Sequence, residues 1–82
     1  MAMSDHQDSE HFSYERNWEE IEDMLHQAER KINGWVMAYH KAVDVGNRKV
    51  MKEAARNKKA LEGVVKTLRW VLGDKDIPHP LE

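Results

Sequence analysis

Residues 18–42, WEEIEDMLHQAERKINGWVMAYHKA, decide the fold. Trp18, Ile21, Leu25, Ala28, Ile32, Trp35, Tyr39 and Ala42 follow one another by 3, 4, 3, 4, 3, 4 and 3 positions. Only a helix brings residues at that spacing onto one face, so the stretch predicts an uninterrupted apolar seam. It spans about seven turns, or ~37 Å at ~1.5 Å per residue. Asn17 is the expected N-cap because Glu20 stands three positions on, a capping-box spacing; Ser13 is an alternative start. Glu15, Glu19, Glu20, Glu22 and Asp23 place negative charge at the helix N-terminus, where the macrodipole favours it.

Downstream, Asp44-Val45-Gly46-Asn47 reads as a turn. Gly46 can take the left-handed conformation that ends a helix, and Asn47 can cap the next. The spacing then resumes at Val50, Ala54, Asn57, Leu61, Val64, Leu68 and Val71. Gly73 closes this second helix, and Pro78 and Pro80 forbid its return. Two helices of nearly equal length on a short link predict an all-α antiparallel hairpin, with helices at about 14–43 and 47–72. A polar arm, 1–12, is expected to be disordered before a hairpin at 13–73, and an extended Pro-containing tail at 74–82 follows. Met1-Ala2-Met3 and Leu81-Glu82 read as an added start and a cloning remnant, outside the fold.

Facing residues in such a hairpin have position numbers with a constant sum. Ala42 with Val50, Trp35 with Asn57, Ala28 with Val64 and Ile21 with Val71 each sum to 92; Tyr39 with Ala54, Ile32 with Leu61 and Leu25 with Leu68 each sum to 93. Asn57 is the polar member of its seam, opposite Trp35, whose indole N–H is placed to donate to the amide oxygen. Trp35 and Asn57 then form a register-setting layer, the usual use of one buried Asn; a partly wet Asn position accounts for it equally well.

Two helices leave apolar surface over. Met24, Val36 and Val43 run beside the first seam, and Met51, Val65 and Leu72 beside the second. A stripe that wide exceeds what one neighbouring helix covers. The six are the expected interface of a homodimer forming a four-helix bundle, with a folded-back arm (Phe12, Tyr14) or tail (Ile77-Pro78) as the other way to cover them.

The chain has 82 residues, no Cys and a formal net charge of -2. That allows one small domain, excludes disulfide and thiol chemistry, and gives no bias towards nucleic acid or an acidic mimic. No apolar run nears the ~20 residues that cross a bilayer, so a cytoplasmic protein without membrane contact is expected. The charges are nevertheless sorted by place. Asn47 to Leu72 carries eight Lys/Arg against Glu53 and Glu62. Lys41, Arg48, Lys49, Lys52 and Arg56 should gather at the turn, and the acidic cluster at the far end beside Lys66 and Arg69. A solvated helix surface explains this, as does self-association in an antiparallel dimer that lays the basic end of one hairpin against the acidic end of another. So does an anion site, because Arg48 and Lys49 stand in a first turn where the dipole disfavours positive charge.

Enzymatic chemistry lacks its residues. Asp23 and His26 are spaced as in di-iron bundles, with Glu19 and Glu22 nearby, but the second helix has no matching set. The Glu19–Asp23 run is similar to the acidic pairs of Mg²⁺-dependent helical nucleotide pyrophosphohydrolases, again without partner acids. His6, His11, His40 and His79 are scattered, and no Gly-rich phosphate loop occurs. No catalytic residue, metal or cofactor is expected.

Phe12-Ser13-Tyr14, Asn47-Arg48 and Ala60-Leu61-Glu62-Gly63 together resemble the plan of small phage helical hairpins, the anti-CBASS cyclic-nucleotide sponge family. Its members have an aromatic-x-aromatic arm, a helix, a turn with Arg, and a second helix with small residues and a Leu-Glu pair. The resemblance covers residues 12–72 on short motifs; the first helix is longer than that family's, and Trp70 does not fit its pattern. It implies an oligomer holding cyclic nucleotide between subunits through Tyr14 and nearby basic residues. The expectation from the residues themselves is a non-catalytic, homo-oligomeric interaction protein of the accessory type that phages and mobile elements carry. A host protein, a nucleotide or a nucleic acid would meet Arg48, Lys49, Lys52, Arg56, Trp70 and Tyr14.

Overall fold

The computed structural model describes residues 15–81. They form two helices and no strand: α1, Trp18–Val45, and α2, Arg48–Val71, packed side by side as a hairpin. Each helix end is closed by residues its sequence supplies. Asn17 Oδ1 accepts from the Glu20 amide at 2.8 Å, and Glu20 Oε1 accepts in return from the Asn17 amide at 3.2 Å. Two of the first turn's otherwise unpaired N–H groups are thereby satisfied, which fixes the start. The helix thus begins at Trp18, not near residue 14, because the reciprocal pair at Asn17 and Glu20 outcompetes an earlier start. Ser13 and Tyr14 lie outside the described residues, as does the whole 1–12 arm.

At its other end α1 runs two residues beyond the expected 43. Asp44 and Val45 are helical, and Gly46 carries the reversal with φ 72° and ψ 24°. The Asn47 amide donates to the Ala42 carbonyl at 2.8 Å and the Gly46 amide to Val43 at 3.2 Å. This nested pair is the Schellman arrangement, and it needs a residue free of the left-handed penalty. Asn47 then caps α2, its Oδ1 accepting from the Val50 amide at 3.1 Å. The link is therefore Gly46-Asn47 alone, shorter than the four residues that composition suggested. Gly73, with φ 88°, repeats the device at the end of α2: the Asp74 amide donates to Arg69 and the Gly73 amide to Trp70, both at 3.0 Å.

Alanine marks the closest approach of the helices. Ala28, Ala42 and Ala54 are the buried apolar residues, and Ala54 is wholly enclosed. Ile21, Leu25, Ile32, Trp35, Val50, Asn57, Leu61, Val64 and Leu68 line the seam half-buried. Tyr39 and Ala54 flank one groove, and Leu68 shares another with Ile21 and Met24. Among the described residues no large side chain is fully buried. Trp18 and Val71 are exposed at the open end of the hairpin.

Past Gly73 the chain turns once more. Asp74 Oδ1 accepts from the Asp76 amide and the Asp74 carbonyl from Ile77, and this tight turn sends residues 77–81 back along α2. His79 meets Trp70 edge-to-face with ring centroids 5.5 Å apart, and Pro80 lines an open groove together with Met24, Ala60, Gly63, Val64 and Thr67.

Candidate functional site

Repetition by seven assigns the off-seam residues to two flanks. Val36 and Val43 fall on one flank of α1, and Met51, Val65 and Leu72 on the adjoining flank of α2. Met24 falls on the opposite flank, in a groove that Pro80 also lines, and is 55% exposed. The six expected interface residues therefore divide five to one. Val43 is 48% exposed; Val36, Met51, Val65 and Leu72 are half-buried beside the seam. Met37, one position outside Val36, is among the most exposed apolar residues.

The first flank is crossed by one charged pair. Arg69 Nη2 donates to Glu29 Oε2 at 2.7 Å, and Arg69 Nη1 lies 3.9 Å from Asp74 Oδ2. The hydrogen bond to Glu29 raises the Arg69 pKa, with smaller Coulombic support from Glu29 and Asp74 against a desolvation penalty. A guanidinium held still higher than usual does not titrate near neutral pH. Arg69 was expected beside the acidic first turn; it bonds more than two turns further along α1 instead, to Glu29.

At the turn end, Lys49, Lys52, Glu53 and Arg56 line an open groove of about 260 Å³. Arg48 is exposed in the same first turn of α2. No acidic residue occupies that turn, so Arg48 and Lys49 stand at the positive end of the helix dipole without a carboxylate in the turn. Trp70 lies near the other end, 45% exposed, with one edge against His79. The two halves of the expected partner-binding set, basic residues and Trp70, are thus at opposite ends of a long hairpin and do not form one site. Tyr14 lies outside the described residues.

Asn57 half-fills its seam position. Its Nδ2 donates to the Glu53 carbonyl of its own helix at 2.9 Å, so the bond this amide makes is within α2 and not to Trp35. Asp23 and His26 are both exposed, and no group of three or more His, Asp or Glu among the described residues is placed to hold a metal ion. No described helix is long and apolar enough to cross a membrane.

Periodicity misses the Trp70–His79 contact and the groove that Pro80 shares with Met24 and Val64. The available signal was chemical: a Gly73-Asp74 stop followed by Pro78 and Pro80 next to an off-seam Trp. Compared with known protein families, curated proteins and solved structures, the chain finds no match.

Proposed function

We propose that the protein is a non-catalytic helical interaction protein that works as a homo-oligomer, two hairpins forming a four-helix bundle. One observation carries this reading: the described residues bury three alanines but no large side chain. A hairpin whose leucines, isoleucines and tryptophans are all partly wet has little hydrophobic stabilisation to set against its chain entropy. A second copy would dry the flank bearing Val36, Val43, Met51, Val65 and Leu72. Sedimentation velocity at micromolar concentration tests it directly. A dimer or larger species is expected, and a monomer across that range sinks the reading.

A second reading concerns the basic end, favoured by the groove that Lys49, Lys52 and Arg56 line. There an anionic partner, a cyclic nucleotide or a nucleic acid strand, would be held by charge. Its affinity would fall steeply with salt, and changing both Arg48 and Lys49 to Glu would abolish it. Absence of binding at low salt to single-stranded nucleic acid and to cyclic dinucleotides removes this reading and leaves the first intact.

A further inference from the structure

The two flanks of the hairpin are not equivalent. On one, His79 abuts Trp70 and Pro80 lines an open groove with Met24, Val64 and Thr67, so the chain's own tail runs beside that flank. On the other, five aliphatic or thioether side chains recur by seven, interrupted by Lys58 in α2 and by Glu22 and Glu29 in α1. That flank is about 36 Å long and two helices, or ~20 Å, wide. Its area, on the order of 700 Å², approaches the ~800 Å² each partner gives to a stable complex.

We infer that this flank is where two copies meet, and that they pack with their turns at opposite ends. The inference rests on the self-association reading and adds a face and an orientation. Charge is the first argument. Residues 32–60, the turn half, hold seven Lys/Arg against two Asp/Glu, net +5. Residues 15–31 and 61–81, the open half, hold six against nine, net -3. Opposite-end packing lays each basic half along an acidic half. Same-end packing lays basic on basic, which costs free energy at every separation within a Debye length.

Height along the hairpin is the second argument, and it concerns the flank alone. Measured from the middle of the Gly46-Asn47 link at ~1.5 Å per residue, Val43 and Met51 stand at about 6 Å, Val36 and Lys58 at about 16 Å, Glu29 and Val65 at about 27 Å, and Glu22 and Leu72 at about 37 Å. Turning a second hairpin end for end brings the partner's Val65 and the partner's Glu29 level with Val36 and Lys58. The partner's Leu72 comes level with Val43 and Met51. Each layer then contains aliphatic groups from both copies, and each inner layer contains one lysine and one glutamate. Same-end packing instead puts two copies of Lys58 in one layer and two copies of Glu29 in another. Glu29 is already paired with Arg69, and Lys58 with Glu62 at 3.3 Å, within each hairpin, so same-end packing crowds like-charged groups whereas opposite-end packing adds a counterion from the other copy.

The full-length chain, which has no native Cys, allows a single spin label at Asp44→Cys, an exposed position beside the turn. Sedimentation and electron–electron distance measurement on the same labelled sample decide the matter. Opposite-end packing places the two labels ~35 Å apart along the axis, and same-end packing places them within ~20 Å. A dimer with the long distance supports the inference. A dimer with the short distance overturns the orientation and leaves self-association standing. A monomer overturns both.

Discussion

Arg69 and Glu29, forty positions apart in sequence, are joined by a side-chain hydrogen bond of 2.7 Å from Nη2 to Oε2. Both side chains remain more than a third exposed, so solvent screens the pair and its contribution depends on ionic strength. In a double-mutant cycle, Arg69→Ala and Glu29→Ala should show favourable coupling at low salt that shrinks as NaCl is raised. Coupling indifferent to salt, or absent at low salt, would contradict the bond.

Capping should be measurable on its own. Asn17→Ala removes one arm of the reciprocal pair with Glu20, and Asn47→Ala removes the acceptor for the Val50 amide. Each should cost ~1 kcal/mol in urea denaturation. Asn17→Gly should cost only a few tenths, since glycine is an acceptable cap. An unchanged midpoint for Asn17→Ala would mean that α1 begins elsewhere.

Gly46 offers a test free of packing effects. A Cβ built there meets nothing within 4 Å, so only its φ of 72° opposes a side chain. Gly46→Ala should therefore destabilise by ~1 kcal/mol through backbone strain alone. Gly46→Asn should be milder, because Asn tolerates the left-handed region. Equal stability for all three proteins would show that the link does not need that conformation.

Ala54 has no exposed surface and faces α1 where Tyr39 flanks the same groove. Ala54→Leu should separate the helices and cost ~1–3 kcal/mol. The same change at Ala55, one position outwards and exposed, should be nearly neutral. If the two variants melt alike, the seam has been placed on the wrong face.

Most of the fold was legible because the seam period, the Asn caps and Gly46 all demand the same thing locally. The boundaries shifted where hydrophobic period carries no end signal: Val45 continues α1 because the helix stops only where a residue can go left-handed. Depth of burial was not legible. The spacing that puts Trp18 on the seam says nothing of how far α2 extends, and Trp18 is 64% exposed because its neighbour has already ended. Trp35 is likewise half-buried, so its truncation should cost less than the ~3–5 kcal/mol of an enclosed Trp. Arg69 with Glu29 escaped the constant-sum rule because both lie off the seam and meet through side-chain length. Trp70 with His79 escaped it because a turn at Asp74, not a helix face, brings them together.

The two-residue link has a kinetic consequence as well. With Gly46-Asn47 as the whole connection, facing residues are only eight apart at Ala42 and Val50, and the separation grows steadily to fifty at Ile21 and Val71. Each contact formed near the turn shortens the loop that the next must close, so the closure entropy of the long pairs is met in small steps. Such a chain assembles by zipping outward from its bend, as local topologies do when they fold fast. Substitutions at Ala42 or Ala54 should then slow folding, whereas those at Ile21 or Leu68 should mainly hasten unfolding.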